Sequence, residues 1–398
     1  MAISPASTLE TAVTTANRVI DSASAALRTL SLDIHSHPEL NFEEHHAHDA
    51  LTGYLETQGF SVERGAFELA TAFQAVAGSG SPTIAVFSEF DALPGIGHAC
   101  GHNLIAISGV ATALALKAAL GEGNGTVVLL GSPAEEGGGG KALMIERGAL
   151  EGIDAALMLH PAPIGNALPH MIAAEHLEVR FHGKGTHAGA SPWMGINALD
   201  AIVLAYTNIS ALRQQLHATD RVHGVITNGG EKANIIPHFT SSQWIIRAHA
   251  AAELTDLKRR VTACFEAAAT ATGCTLEIEV MGPAYDDLRQ NEVMGRSYLA
   301  AIEGLGAQHV SHELRIDSGA VTDMGNVSYV VPSIHPVFGI PATDGNHTPG
   351  FTAAAATEEA HAATLMASKA LAATALELFL EPEVLSAAKA EFAATVRA

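Results

Sequence analysis

The sequence predicts an α/β protein of two domains: a main α/β/α domain on a mostly parallel sheet, and an inserted ferredoxin-like α+β domain. Three continuous apolar runs, at 83–87, 125–131 and 155–159, are typical of strands buried on both faces of a parallel sheet. Between these runs and the C-terminal part of the chain, the predicted strands instead alternate apolar and polar residues. Strands and helices follow one another there in the order β-α-β-β-α-β, the split order of ferredoxin-like domains. We therefore predict a main domain of residues 1–174 and 286–398 and an insert of residues 175–285.

Length and composition exclude several classes of protein. At 398 residues the chain is long enough for two cores, and 48% hydrophobic with 16% charged residues is ordinary for a globular protein. The net charge is −21, so we expect neither nucleic acid nor an anionic membrane surface as a partner. Three cysteines do not make a disulfide framework. We see no signal peptide and no membrane-spanning stretch, and we expect a cytoplasmic protein.

The chain begins with two predicted helices. Apolar residues recur at near-helical spacing over 7–40, where Pro38 ends the pattern. A second helix is predicted over 42–59, with a glycine as its cap. Short strands near 61–64 and 72–77 precede the first buried strand.

Polar residues with the chemistry of metal ligands follow that first buried strand. After 83–87 come Asp91, a turn rich in glycine and proline, and then His98, Cys100 and His102. Side chains between the carboxyl end of a strand and a helix are where α/β sheets place binding groups. A thiol and two imidazoles this close offer soft and borderline ligands to a metal ion. An isolated Cys-x-His is more often structural, so a metal site needs partners elsewhere.

The next two buried strands end in the same way. The strand 125–131 leads into Glu135, Glu136 and a run of four glycines, and 155–159 ends at His160. Two adjacent carboxylates can serve different functions, one binding a metal ion and the other accepting a proton. Glycines let the backbone approach a ligand closely. Potential ligands at three strand ends therefore indicate one shared site.

The predicted insert contains a glycine-rich loop, 183–192, which carries His187. Asn234 follows the second strand of the insert, and Arg247 lies on the third. Its predicted elements are the strands 176–182, 222–227, 241–248 and 275–280 and the helices 197–216 and 254–271.

The helical and buried-strand pattern returns after the insert. A helix is predicted over 293–304, and His335 follows a short apolar run. The loop 339–350, rich in glycine, proline and asparagine, carries His347, and an alanine-rich helix over 357–378 follows it.

Six motifs in this order make the chain resemble the di-metal aminoacylase and carboxypeptidase superfamily. They are D-A-L-P, H-A-C-G-H, P-A-E-E-G-G-G-G, H-P, G-K-G-T-H-A-G-A-S-P and a C-terminal histidine. The sequence around the cysteine is most similar to the Cys-bridged amidohydrolase branch, in which a cysteine bridges the two metal ions. This branch includes aminobenzoyl-glutamate hydrolases, hippurate hydrolases and aminoacylase-like dipeptidases. The resemblance covers the whole chain. It implies hydrolysis of the amide bond of N-acyl or N-aminoacyl amino acids through a metal-bound hydroxide.

The same resemblance implies a catalytic domain with two divalent metal ions per subunit. Zinc is expected because a cysteine ligand favours it, and manganese is the alternative. Cys100 would bridge the ions, and the further ligands would be His102, Glu136, His160 and His347.

Other roles implied by the resemblance concern catalysis and substrate binding. Glu135 would be the general base, Asp91 would orient a ligand, and His187 would stabilise the oxyanion in the partner subunit. The insert would be a dimerisation or lid domain, so we expect a homodimer that acts on a small N-acyl amino acid or dipeptide. The expected substrate contacts are Asn234, Arg247, His98 and His335.

One departure from the wider superfamily leaves a question open. Glu89 stands where a histidine is usual, two residues before Asp91, and either Glu89 or His98 is a candidate to compensate for the lost nitrogen ligand. Two other functions remain alternatives: a catalytically silent binding or scaffold protein on the same fold, and a thiol enzyme with Cys100 as nucleophile. The retained pair of Glu135 and Glu136 argues against a silent scaffold. A measurement of bound metal would distinguish a thiol enzyme from a metal-dependent one.

Overall fold

In this computed structural model the described residues are 5–121, 123–307 and 319–395. Their strands are β1 (Ser61–Arg64), β2 (Phe73–Ser79), β3 (Thr83–Glu89), β4 (Gly125–Ser132), β5 (Ala155–Leu157), β6 (His160–Ala162), β7 (Ala173–His182), β8 (Arg221–Asn228), β9 (Phe239–Ala248), β10 (Thr275–Val280), β11 (Ser333–Ile334) and β12 (Val337–Gly339). Their helices are α1 (Pro5–Ser36), α2 (His45–Thr57), α3 (His102–Leu120), α4 (Gly140–Glu146), α5 (Ala198–Leu212), α6 (Ala251–Thr272), α7 (Glu292–Gly304), α8 (Met324–Ser328), α9 (Pro349–Ala354), α10 (Glu358–Leu380) and α11 (Pro382–Thr395).

The chain divides into two compact units. The first comprises Met1–His170, Leu288–Ser318 and Asp323–Ala398, and the second comprises Met171–Asp287 and Gly319–Thr322. The boundaries predicted from the sequence pattern place the short segment Gly319–Thr322 in the main domain. In the structure, the backbone N–H of Ile172 donates to the carbonyl of Ala320 at 2.9 Å, which ties this segment to the second unit.

A six-stranded sheet forms the centre of the first unit, in the order β1-β2-β4-β3-β5-β11. The strands β4, β3, β5 and β11 are parallel, and β1 and β2 add an antiparallel edge. The prediction of a mostly parallel sheet in an α/β fold is therefore confirmed. Because the carboxyl ends of β3, β4 and β5 lie side by side, residues that follow these three strands come together.

Long apolar helices cover this sheet. The helix α3 packs against β3, α1 and α10, and nearly all of its residues are buried, as its continuous apolar sequence predicts. By length and hydropathy both α3 and α10 could span a membrane, and most of the residues of each are buried inside the unit. They serve here as core helices of the first unit.

The first two helices differ from their predicted limits for local reasons. The helix α1 ends at Ser36, because Pro38 disfavours helical backbone at the residue before it. The helix α2 begins at His45 and not at Phe42, since Phe42 has a left-handed φ of 63°. The carboxylate of Glu39 accepts the backbone N–H groups of His46 and Ala47, which the first turn leaves without intrahelical partners.

The second unit has the predicted β-α-β-β-α-β order, formed by β7, α5, β8, β9, α6 and β10. Its sheet is antiparallel throughout, in the order β10-β7-β9-β8. Trp244 and Phe265 pack in the core between this sheet and its two helices, with ring centroids 5.4 Å apart. The ferredoxin-like prediction is thus confirmed.

Candidate metal centre

Three parallel strands of the first unit bring predicted site residues to one edge of the sheet. The strand β3 lies between β4 and β5 and ends at Glu89, two residues before Asp91. Glu135 and Glu136 follow β4, and His160 follows β5. This edge is where open α/β sheets bind ligands, so the strand order alone places these side chains at a favourable position.

The turn after β3 brings Cys100 and His102 to the same edge. Gly101 between them has a left-handed φ of 78° and precedes the first residue of α3. A Cβ atom at this position would lie 2.6 Å from Cγ of Pro161 and 3.2 Å from the ring of Phe351. Only glycine satisfies both the conformation and the space, and it sets the direction of the two flanking side chains.

Two groups of three ligand-type side chains meet at Cys100. Cys100, His102 and His160 present ligand atoms within 4.8 Å of one another, and Sγ of Cys100 lies 3.4 Å from Nε2 of His160. Cys100, Glu136 and His347 do the same, and Nε2 of His347 lies 3.3 Å from Oε1 of Glu136. Thiolate, imidazole and carboxylate are the ligands that zinc takes in proteins. The donor sets therefore fit two cations that share one sulfur ligand.

Hydrogen bonds orient the two histidines of the first group. The Nδ1–H of His102 donates to Oδ1 of Asp91 at 3.0 Å, and that of His160 donates to the carbonyl of Pro161 at 2.8 Å. In the neutral form of each imidazole, Nε2 therefore keeps a lone pair for a cation. Asp91 also accepts the backbone N–H of Glu136 at 2.9 Å, so one carboxylate positions ligands from two strand ends.

His347 reaches the site from the loop that precedes α9. Its backbone N–H donates to the carbonyl of Ala99 at 2.8 Å, and its φ of 66° is left-handed. The amide of Asn346 donates to the carbonyl of Pro161 at 3.1 Å and so holds the same loop against the site. The His347 side chain is 55% exposed, so the site opens to solvent on this side.

Burial sets the protonation of two of the ligands, His160 and Cys100. It lowers the pKa of His160 to about 4, so this imidazole is neutral at neutral pH, the form that binds a metal ion. Burial also raises the pKa of the Cys100 thiol, and the charge of Glu136 raises it further. A thiol with a raised pKa is a poor nucleophile, which argues against a thiol enzyme. A divalent cation in contact with the sulfur would deprotonate it.

Glu135 lies beside the ligands and is almost fully buried. Its Oε2 is 3.9 Å from Nε2 of His102. Burial raises the pKa of this carboxyl well above its usual value, and the charges of Glu89 and Glu136 add to the effect. Cations at the neighbouring ligands would lower that pKa again and so favour the carboxylate, the form that takes up a proton and then returns it.

Glu44, to which the sequence pattern assigns no role, fixes the backbone that carries Glu135. Oε1 of Glu44 accepts the N–H of Ala134 at 2.9 Å, and its Oε2 accepts the hydroxyl of Thr71 at 2.8 Å. Ala134 itself has a left-handed φ of 56°. Burial raises the pKa of Glu44 to about 7, and the charge of Asp91 contributes. The only feature of the sequence that could have indicated this role is an acidic residue at the start of a helix.

A buried ion-pair cluster is also missing from the sequence-based prediction. The ammonium of Lys141 lies 2.5 Å from Oε2 of Glu89 and 2.7 Å from Oδ1 of Asp323, and all three side chains are fully buried. The available signal is a lysine that directly follows the glycine run and precedes the apolar residues of a short helix. Its two partners are distant in the chain and cannot be identified from spacing.

His98 and His335 pack behind the ligands. The Nε2–H of His98 donates to the carbonyl of Ile34 at 3.1 Å, and the ring is 1% exposed. His335 is fully buried, with its ring edge-on to that of His160 and the centroids 5.7 Å apart. A substrate contact would require either ring to become exposed, so their substrate-binding role stays a prediction.

The three remaining site residues belong to the second unit. Nδ1 of His187 accepts the backbone N–H groups two and three residues further on, both at 3.1 Å, so its ring proton is on Nε2. The side chains of His187 and Asn234 are exposed. Arg247 is half-buried on β9, and its Nη1 donates to the carbonyl of Gly319 at 2.9 Å.

Comparison with known proteins finds related sequences and folds. A model of the peptidase family M20/M25/M40 matches residues 81–369. The chain is 44% identical over 390 residues to the Xaa-Arg dipeptidase of Mus musculus, and the alignment covers 94% of this chain and 90% of the mouse protein. It is 37% identical over 286 residues to one of the subunits of the p-aminobenzoyl-glutamate hydrolase of Escherichia coli strain K12, with 65% of this chain and 59% of that protein covered.

Among solved structures, the fold matches a dinuclear metal binding peptidase of the M20 family from Bacillus subtilis. The TM-score is 0.69 at 22% identity, and the match covers 90% of this chain and 99% of that one. At this identity the likeness shows a shared fold.

Proposed function

Because this chain belongs to the peptidase family M20/M25/M40 and is a hydrolase of peptide or amide bonds, we propose that it cleaves N-acyl or N-aminoacyl amino acids with the aid of two divalent cations. The enzyme class predicted from the sequence motifs is confirmed by this membership. The substrate, the number of cations and their identity form the proposal.

The observation that carries the proposal is that Cys100 belongs to two ligand groups. It forms one with His102 and His160 and the other with Glu136 and His347. One sulfur shared by two three-residue groups suits a pair of cations, which metal-dependent hydrolases hold about 3.5–4 Å apart. The thiolate favours zinc, and the carboxylate ligand is also compatible with manganese.

The reaction follows from what the chain's own groups do around the cations. When bound, the cations polarise the amide carbonyl and lower the pKa of the attacking water. Glu135 takes the proton of that water and passes it to the nitrogen of the leaving amine. The Nε2–H of His187 donates to the oxyanion that forms, a contact worth about 3–4 kcal/mol in other hydrolases. Asp91 keeps His102 in the correct tautomer and orientation throughout.

We further propose a homodimer formed through the second unit. Its helix α5 exposes Val203, Leu204 and Tyr206, with 49%, 38% and 40% of their surface accessible, and the edge strand β8 exposes Val225 at 58%. An apolar helix face beside an unpaired strand edge supports pairing with a second copy, since both features favour association. In such a dimer His187 serves the partner's site.

The experiment that tests the proposed function is a substrate panel on protein reconstituted with Zn²⁺ or Mn²⁺. The panel contains dipeptides with C-terminal arginine, p-aminobenzoyl-glutamate and hippurate-like acyl amino acids. We expect the arginine dipeptides to be cleaved fastest, because the mouse relative of that specificity aligns over nearly the whole chain. Metal-loaded Glu135→Gln is the matched control. Absence of hydrolysis of every substrate by folded, metal-loaded protein would contradict the proposal.

A further inference from the structure

Two buried polar atoms face each other across a short gap and have no hydrogen-bond partner. They are Oε1 of Glu89 and Nε2 of His102, 3.4 Å apart, in side chains that are fully buried. Buried nitrogen and oxygen atoms are nearly always hydrogen-bonded, so such a pair needs a physical reason.

Neither side chain can rotate to give its free atom a hydrogen-bond partner, because another polar atom of the same side chain is already hydrogen-bonded. Oε2 of Glu89 accepts from the ammonium of Lys141 at 2.5 Å. The Nδ1–H of His102 donates to Asp91 at 3.0 Å. The two atoms are therefore held in place. The carboxylate oxygen carries lone pairs, and so does Nε2 of the neutral imidazole.

The gap between them has the size expected for two ligands of one cation. Nitrogen and oxygen ligands at about 2.0–2.2 Å from a tetrahedral ion lie about 3.4 Å from each other. Glu89 and His102 form a group of ligand-type side chains with Glu135, whose Oε2 lies 3.9 Å from Nε2 of His102, so the gap is surrounded by groups that favour a cation. An ion in that gap would satisfy both unpaired atoms at once.

The charges around Glu89 also favour a cation. Lys141 contacts two carboxylates, since its ammonium lies 2.7 Å from Oδ1 of Asp323 and its backbone N–H donates to Oδ2 of the same residue at 2.8 Å. One ammonium between two buried carboxylates leaves a local charge of −1 if both are ionised, beside the further acid Glu135. Lys141 fixes Glu89 without neutralising the site.

We propose that Glu89 is an additional oxygen ligand of the cation held by His102, and that Lys141 and Asp323 are positioning residues that aim its free oxygen. This inference depends on the two-cation site of the proposed function. A carboxylate oxygen is a hard ligand that suits Mn²⁺ better than imidazole or thiolate does. Glu89 therefore shifts the preference of this position towards Mn²⁺.

The test measures binding of Mn²⁺ and of Zn²⁺ to chelator-stripped protein by isothermal titration calorimetry. For Glu89→Gln we expect at least a tenfold loss of affinity for one of the two Mn²⁺ ions and a smaller loss for Zn²⁺. Lys141→Met should weaken the same Mn²⁺ site about 10–100-fold, the range typical of residues that support a ligand. Lys141→Arg, which keeps a cationic donor, should recover part of that loss.

The matched control is Glu175→Gln in the second unit. Glu175 is also a buried carboxylate paired with a lysine, Lys258, at 2.8 Å, and it lies outside the metal centre. We expect both metal affinities to be unchanged in this variant. Circular dichroism of each apo protein checks that it folds.

Two outcomes separate this inference from the function on which it depends. If wild type binds two ions and folded Glu89→Gln binds both Mn²⁺ ions with wild-type affinity, the inference fails and the proposed function stands. If wild type binds no ions, the proposed function itself fails. Should Glu89→Gln not fold, a crystal structure of wild type loaded with Mn²⁺ decides: the inference requires Oε1 of Glu89 within about 2.3 Å of an ion, and a separation above 3 Å overturns it.

Discussion

The Sγ atom of Cys100 lies 3.4 Å from Nε2 of His160, although 60 positions separate the two residues in the chain. The parallel strands β3 and β5 bring them together, because the residues that follow each strand reach the same edge of the sheet. His102 and Glu136 approach Cys100 from the same edge, and the contact is therefore part of a converging set of ligands.

Replacing this sulfur should remove at least one of the two cations. We expect Cys100→Ala to reduce bound metal from about two equivalents to one or fewer, since the only ligand common to both groups is lost. Metal content of protein purified without chelator, measured by mass spectrometry, checks this. Cys264→Ala, at a free cysteine in the second unit, is the control and should keep both ions. Two retained ions in folded Cys100→Ala would rule out a bridging sulfur.

Glu135→Gln should abolish turnover while the fold and the bound metal remain. The amide keeps the size and most of the polarity of the carboxylate and cannot accept the proton. We expect kcat to fall by at least 10²-fold, within the range that general-base catalysis contributes. A rate near that of wild type, at wild-type metal content, would show that another group is the base.

Stability should depend on pH through Glu44. Its pKa is about 7 in the folded protein and about 4.5 in the unfolded chain, so the folded state holds the proton more tightly. The stabilisation is therefore complete below pH 4.5 and is lost as the pH rises to 7. The pKa difference corresponds to about 3 kcal/mol in the free energy of unfolding.

Glu44→Gln mimics the protonated carboxyl and should remove this dependence. Relative to wild type, we expect the variant to gain stability on going from pH 5 to pH 8, measured by urea unfolding of chelator-stripped protein. Glu43→Gln, at an exposed neighbour, should follow wild type at both pH values. Identical pH profiles for wild type and Glu44→Gln would show that Glu44 does not titrate in this range.

A mixing experiment tests whether His187 serves the partner subunit. His187→Ala and Glu135→Gln are both expected to be inactive alone. In a mixed dimer with His187 acting across the interface, one site lacks both groups and the other is intact, so a fraction of wild-type activity returns. If His187 serves its own subunit, every site lacks one group. No recovery, with subunit exchange verified by a labelled chain, would exclude the shared site.

The sequence allowed prediction of the fold class and of most side chains that meet at Cys100. Buried parallel strands have continuous apolar sequences, and the polar residues after them, such as Glu136 and His160, are then placed by strand order. The ligand roles themselves came from the resemblance and stay predictions, as do the predicted domain boundaries and the cytoplasmic location.

The contacts that hold the site residues in place could not be predicted from the sequence. Lys141 pairs with Glu89 across 52 positions and with Asp323 across 182, and Glu44 binds the backbone of Ala134 across 90. No periodicity links such residues, because a buried ion pair depends on how loops from different parts of the chain pack. Their burial and their contacts become visible only in three dimensions.

The most direct test of a two-cation amidohydrolase is a metal titration followed by activity. Zn²⁺ is added to chelator-stripped protein while hydrolysis of the best substrate in the panel is recorded. We predict no turnover without metal and a rise to a maximum at about two equivalents per subunit. Full activity in the presence of excess chelator, or a maximum at one equivalent with no further change, would contradict the two-cation mechanism.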